Sequence, residues 1–306
     1  MSAAVTCLLL AATLAAPAPA KPKDRWVGTI VCLKGASVET YRRTDGGEFE
    51  LQKFTFRYLD LRVVEEKGDF VAVQNDEAVV WVKKEVALRP RDAIDYFTAQ
   101  LDKDPTDQRA ISCRCASYMA AGDYDRALRD AEEAVRMNPD SPAWRNNRGE
   151  VLVKRKEYDK AIAEFTTLLE ESPDHQFSLM NRGEAYVRTR QFDKALADLT
   201  AALKARPGCP ALHMNVARCL ATAKDPKVRD GKKAVEAAQK ALDLFKFKDG
   251  RLYDTAAAAY AAAGDFDKAV EYQQRAFDDG DFMKDDGPGA RKRLQLYRDK
   301  KDFTDE

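Results

Sequence analysis

Apolar residues recur along this chain with two different periods, and the switch between them divides it. Between residues 24 and 90 they come in short β-branched and aromatic runs: Trp26–Val31, Phe54–Tyr58, Leu61–Val64, Phe70–Val73 and Val79–Val82. Gly46-Gly47, Gly68-Asp69 and Asn75-Asp76 separate several of them, and such pairs mark turns. The pattern predicts five short strands closing into a small barrel, an arrangement that removes its own sheet edges. From Arg91 onward the apolar positions follow a helical period to the end of the chain.

The helical part repeats. Ala93, Ala127, Ala161 and Ala195 are spaced by 34 residues, and so are Pro105, Pro139, Pro173 and Pro207. A period carried by two unrelated residue types signals stacked supersecondary units. Each unit is a helix pair that buries its apolar face only against a neighbour. Proline ends the second helix of each pair, because its ring and missing N–H stop the hydrogen-bond ladder. Residues 91–107 carry the second-helix pattern without a first helix, which predicts a capping half-repeat.

Position-specific residues point to a family. With repeats starting near Gln108, Pro142, Gln176, Pro210 and Gly250, the eighth position holds Cys115, Gly149, Gly183, Ala217 and Ala257. The eleventh holds Tyr118, Leu152, Tyr186, Leu220 and Tyr260. Second helices open with Asp123-Tyr124-Asp125-Arg126-Ala127 and its counterparts at 157–161, 191–195 and 265–269. These motifs resemble the tetratricopeptide repeat (TPR) family over residues 108–285. The resemblance implies an all-α superhelical TPR solenoid, with residues 286–306 as a C-terminal capping helix and tail. A small eighth residue lets the paired helix approach closely, and a bulky one there overpacks by about 1–3 kcal/mol.

The stretch Leu61–Val86 resembles the C-terminal half of bacterial Src-homology-3 (SH3)-like domains. That implies a small all-β SH3-like barrel over residues 24–90, ahead of the solenoid. The aromatics Trp26, Tyr41, Phe54, Phe56, Tyr58 and Trp81 read either as its core or as a ligand groove. The repeat register breaks once, because Ala234 stands five residues beyond the place expected from Ala195. The extra residues lie within Thr222–Gly231, a polar connection that is either a functional loop or a tolerated insertion. Gly287-Pro288-Gly289 predicts a break before a last helix around Arg291–Tyr297.

The apolar run Val5–Ala16, followed by Ala18-Pro19-Ala20, is too short to span a bilayer. It fits a secretory signal over residues 1–20, although no lysine or arginine precedes it; an uncleaved anchor or a leader is the other reading. An exported protein of the periplasm or cell envelope is the expectation. The mature chain then holds Cys32, Cys113, Cys115, Cys209 and Cys219, an odd set that is no disulfide framework. Cys115 reads as a small buried side chain, and only Cys209 and Cys219 are candidates to pair.

Lysine plus arginine and aspartate plus glutamate number 51 each. Such neutrality argues against nucleic acid as the main partner. The two histidines, His175 and His213, have no cysteine or histidine at metal-ligand spacing. Phosphate-binding, dinucleotide and nucleophile-elbow motifs are absent from the sequence. No catalytic residue, metal or cofactor is assigned, and the reading is non-enzymatic.

The family resemblance implies that first helices line a concave wall through their second, fifth, sixth, ninth and twelfth positions. The sixth positions read Cys113, Asn147, Asn181, Asn215 and Thr255. Three asparagines one repeat apart form a candidate ladder for a peptide backbone, since a carboxamide both donates and accepts. Each such bond nets only about 0.5–1.5 kcal/mol, so affinity comes from repetition. Alternatively, these asparagines merely solvate the wall. Phe177, Met180 and Met214 add adaptable apolar area, while Arg109, Arg218, Glu150 and Glu184 add polar selection. Ser112, Ala116 and Phe177 occupy places where the family's C-terminal carboxylate clamp needs lysine, asparagine or arginine, which argues against that mode. The expected function is a scaffold binding extended peptide segments of a partner protein. The alternative is a cell-envelope module whose barrel binds peptidoglycan while the repeats space or oligomerise it.

Overall fold

The computed structural model describes residues 26–27, 29–35, 38–52, 61–74, 79–245 and 249–304. Their first part is one seven-stranded antiparallel sheet: β1 (Ile30–Leu33), β2 (Thr40–Arg43), β3 (Phe49–Gln52), β4 (Leu61–Lys67), β5 (Phe70–Gln74), β6 (Val79–Lys83) and β7 (Ala87–Leu88). Strand order is β3-β2-β6-β5-β4-β1-β7. Alternation sets the register. Val63, Val73 and Val80 line up across three strands and Val71 and Val82 across two, and these valines fill a core with Val31, Leu33 and Leu61.

The opposite face carries a second apolar set. Tyr41, Phe49, Phe70 and Trp81 pack together, with Phe49 stacked on Phe70 at a centroid distance of 4.0 Å. Leu51 and Val79, the exposed large hydrophobics among the described residues, lie on the same strands.

Several expectations change here. The sheet curls without closing among the described residues: β3 ends it on one side and β7 on the other. On the β7 side closure is replaced by cover: the first helix packs on β1 and β7 and the second on β1, which shields that edge. The first strand starts at Ile30 rather than Trp26, which sits in a turn. Strands β2 and β3 flank the Gly46-Gly47 turn. Their residues, Thr40-Tyr41-Arg42-Arg43 and Phe49-Glu50-Leu51-Gln52, are too polar to read as apolar runs. The runs at Phe54–Tyr58 and Asn75-Asp76, and the leader over residues 1–20, lie outside the described residues.

Twelve α-helices follow among the described residues: α1 (Pro90–Leu101), α2 (Gln108–Ala120), α3 (Tyr124–Met137), α4 (Pro142–Lys154), α5 (Tyr158–Glu171), α6 (Gln176–Arg188), α7 (Phe192–Ala205), α8 (Pro210–Thr222), α9 (Gly231–Leu244), α10 (Gly250–Ala262), α11 (Phe266–Ala276) and α12 (Gly280–Arg298). Aspartates start several of them: Asp107, Asp123, Asp230 and Asp265 each accept from the backbone N–H three residues on. Pro139, Pro173 and Pro207 each follow the residue that closes a second helix. Ala127, Ala161, Ala195, Ala234 and Ala269 are completely buried where helices cross. Gly149 faces Phe165 so closely that an added Cβ would lie 2.5 Å from its ring.

The 223–230 connection is held in place. Backbone N–H groups of Val228 and Arg229 bond Asp225 O, and Asp230 N–H bonds Leu220 O. Arg229 also pairs with Asp302 of the C-terminal tail. The break in α12 falls at Asp286, one residue ahead of Gly287-Pro288-Gly289, and the chain continues helically through Pro288. Buried Arg293 bonds Asp254 of α10 and Asp286 at the kink, and so fastens the last helix to the stack.

Candidate functional site

Consecutive first helices touch one another directly: α4 with α6, α6 with α8, and α8 with α10. They therefore form the inner, closely spaced layer of the stack, and their inward positions make the candidate wall. Three first helices, α2, α4 and α6, are each held against their own second helix by a recurring ion pair. Arg114 Nε and Nη2 donate to Asp130 at 2.9 and 2.7 Å. Arg182 Nε and Nη2 donate to Asp198 at 2.7 and 2.9 Å, and Arg148 Nη2 donates to Glu164 at 2.6 Å. Partners are 16 residues apart and the pairs recur every 34, so the signal was present in the sequence as a spacing of opposite charges. The bonds to Asp130 and Asp198 hold both guanidiniums firmly charged.

The three ladder asparagines are not equivalent. Asn147 on α4 and Asn215 on α8 are half-buried at the wall. Asn181 on α6 is buried, and its Nδ2 donates to Asn146 Oδ1 at 3.3 Å. The Ser178 hydroxyl lies between that same Oδ1 (3.3 Å) and His175 Nδ1 (2.8 Å). His175 in turn caps α6, its Nδ1 accepting from Ser178 N–H. Asn181 thus belongs to a polar seam between repeats. Of the flanking sixth positions, Cys113 is buried, which pushes its thiol up to about 11; Thr255 is buried and donates to Arg251 O.

Phe177 and Met180 share one neighbour. The Arg206 guanidinium lies 4.9 Å from the Phe177 ring centroid, and its Nη1 is 3.8 Å from Met180 Sδ. Met214 is half-buried on α8, as is Arg218. Arg109 serves elsewhere: its guanidinium donates to Leu33 O at 2.7 Å and Lys34 O at 3.2 Å, which ties α2 to the sheet.

Glu150 and Glu184 meet charges that pattern reading did not single out. Lys154 and Arg188 are the last residues of α4 and α6, and Arg251 lies in the first turn of α10. Arg188 Nη2 donates to Glu184 Oε1 at 3.4 Å. Enclosure pushes the Glu184 carboxyl up, but Lys154, Arg188 and Arg251 outweigh it and hold the group below the usual carboxylate range. Lys154 is pushed up chiefly by Glu184, against partial desolvation and with help from Glu150. Glu184 keeps 25% of its side-chain surface and Lys154 is exposed, so this is a wetted corner walled by protein rather than a dry core.

The described cysteines Cys32, Cys113, Cys115, Cys209 and Cys219 are buried thiols. Cys209 and Cys219 stand at the start of α8 and ten residues along it, about 15 Å apart at 1.5 Å rise per residue. A disulfide needs its Cα atoms within about 7 Å, so the one candidate pair is ruled out. Among the described residues, no group of three or more His, Cys, Asp or Glu side chains is placed to hold a metal ion. No described helix is long and apolar enough to cross a membrane.

A model of the tetratricopeptide repeat matches residues 117–175 and 180–247. No curated protein sequence matches the chain. Among solved structures, PilW, titled a widely conserved type IV pilus biogenesis factor, is 22% identical with a TM-score of 0.52. The match covers 68% of this chain and 90% of PilW. The Cut9–Hcn1 hetero-tetramer of the APC/C gives a TM-score of 0.58 at 14% identity, over 68% of this chain and 39% of that one. A thermophilic TPR protein of Thermus thermophilus is 21% identical with a TM-score of 0.49, over 62% and 98% of the two chains. At such identities the likeness is one of fold. Within the helical part, residues 117–175 and 180–247 match tetratricopeptide repeats.

Proposed function

We propose that this protein is a non-enzymatic scaffold whose inner wall, over α4, α6 and α8, binds an extended segment of a partner protein. TPR repeats support a role in protein–protein interaction at the coarse level. The finer reading rests on one observation: half-buried Asn147, Met180, Met214 and Asn215 line the same inner layer. Carboxamides there offer a donor and an acceptor to a peptide backbone, while thioethers adapt to varied side chains. Asn181 contributes indirectly, by holding α6 to α4 through Asn146.

A library of unstructured peptides of about ten residues, spanning ~33 Å when extended, is panned on the full chain. Captured peptides are then measured against the Asn147→Ala/Asn215→Ala variant. That variant spares Asn181, so a loss of binding reports on the wall and not on the packing of α4 against α6. Unchanged affinity in a folded variant sinks the wall as the binding surface.

We further propose export to the periplasm or cell envelope, on the strength of the Val5–Ala16 run and its small-residue flank. A second reading has its own support in the aromatic face formed by Tyr41, Phe49, Phe70 and Trp81. An SH3-like sheet with that face would bind a cell-wall ligand. Sedimentation with purified peptidoglycan separates the two readings, because it responds to Tyr41→Ala and Phe49→Ala and not to the asparagine variant.

A further inference from the structure

The chain as a whole is electrically neutral, but one corner of its inner wall is not. Lys154, Arg188 and Arg251 stand there against Glu150 and Glu184. The cations come from three different first helices, α4, α6 and α10. Direct packing of α4 on α6, α6 on α8 and α8 on α10 makes these helices one continuous surface. Lys154 and Arg188 hold the same place in successive repeats, each as the last residue of its helix. Cations there offset the helix dipoles, which is their minimal role. It does not account for Arg251, which sits at the opposite, positive end of α10, its Nε 3.6 Å from Asp249 Oδ1 and 58% of its side chain exposed.

We propose that this corner receives the acidic side chains of an extended partner segment, with aspartate or glutamate near every third residue. The proposal rests on the groove reading above and adds the chemistry of the guest. Packed helices lie about 10 Å apart, and an extended segment in the polyproline II conformation rises about 3.1 Å per residue and returns to the same face every third residue. A carboxylate at every third position therefore keeps step with Lys154 and Arg188 as the segment crosses from α4 to α6. Glu150 and Glu184 remain on the wall and disfavour a segment that is basic throughout. They hold the cations in position and screen them from one another until the guest's carboxylates arrive. Charge of this kind sets partner choice and encounter rate more than total affinity.

Three labelled peptides of one length, about ten residues, test this on the full chain by fluorescence anisotropy. One carries glutamate at every third position, one glutamine and one lysine. The glutamate peptide is expected to bind about tenfold tighter than the glutamine peptide and the lysine peptide most weakly. Raising the salt to about 0.15 M narrows the gap. Lys154→Glu with Arg188→Glu inverts the order; should that variant fold poorly by circular dichroism, Lys154→Gln with Arg188→Gln abolishes the preference without inverting it. Equal binding of the glutamate and glutamine peptides overturns the acidic guest while leaving the groove reading intact. Binding of none of the three overturns both.

Discussion

The repeated arginine–carboxylate pairs make a quantitative claim about how α2, α4 and α6 are held, and Asp198 is the place to test it. Its carboxylate accepts both bonds of the Arg182 fork, and their side chains keep only 9% and 18% of their surface. Asp198→Ala leaves the guanidinium facing a wall that no longer carries a charge. A fully buried pair broken this way costs 3–5 kcal/mol and an exposed one at most about 1 kcal/mol. Arg182 lies between these limits, also donating to Thr166 Oγ1 at 3.2 Å and resting over Tyr186, so a loss of about 2–3 kcal/mol is expected. Arg182→Leu removes the stranded charge. The double variant should therefore be less damaged than the two single losses together, with a coupling of about 1–2 kcal/mol. Urea melts followed by circular dichroism give the four stabilities, provided each shows a single transition. A coupling under about 0.5 kcal/mol means that packing alone holds α6 to α7. The Arg148–Glu164 pair is the internal control, because Arg145 Nε also lies 3.6 Å from Glu164. Losing Arg148 leaves that carboxylate a second cation, so its coupling should be smaller.

Gly149→Ala inserts a methyl against the buried Phe165 ring, and about 1–3 kcal/mol of overpacking exceeds the roughly 1 kcal/mol of helix propensity gained. The urea midpoint falls and Phe165→Leu in the same background recovers part of it; a rise in midpoint refutes the packing argument. Arg109→Ala removes the guanidinium bonds to Leu33 O and Lys34 O. Amide exchange over residues 30–34 should then accelerate by an amount worth roughly 1–2 kcal/mol, while α5–α7 stay protected. Burial holds His175 below its ordinary histidine value, against the opposing pull of Asp174. The unfolded chain, with a histidine value near 6.5, therefore binds the extra proton first. Stability falls as pH drops below about 6.5, and His175→Asn, which keeps a capping acceptor, flattens that part of the melting-temperature profile. An identical pH profile for the two proteins removes His175 from the account.

The repeat architecture was legible because its determinants are steric and recur at a fixed spacing. Ala127, Ala161 and Ala195 sit at crossings with no exposed surface, where any larger residue collides, so the period survives changes elsewhere. Strands β2 and β3 were not legible for the opposite reason: one side of that ribbon meets solvent, and Arg42, Glu50 and Gln52 mask its alternation. The site divides along similar lines. Which positions face inward is what the family resemblance implies, but what each side chain does there depends on neighbours in other repeats. Asn181 has the same place in its helix as Asn147 and Asn215. It is buried because its Nδ2 and the Ser178 hydroxyl, both on α6, converge on Asn146 Oδ1 of the neighbouring α4. Arg251, two repeats further along the sequence, adds its charge to those that hold the Glu184 carboxyl low, a proximity that no local pattern records.

Both ends of the stack are spoken for, and that narrows where a partner has room. At the N-terminal end Arg109 bonds the sheet, and Cys32 and Leu88 pack with Phe97, Ile111 and Cys113 in one cluster. There α2 presents Cys113 and Ala116 as buried residues, with little polar chemistry left for a guest. At the C-terminal end Asp254, an inward position of α10, is taken by Gln273 and Arg293, and Phe303 of the tail lies beside that guanidinium. A solenoid has to close its two terminal faces because each repeat is stable only against a neighbour. Here the closing elements recruit inward-facing residues to do so. The middle helices α4, α6 and α8 meet no such demand, so their half-buried amides, thioethers and charges are where a guest's chemistry meets the least internal competition.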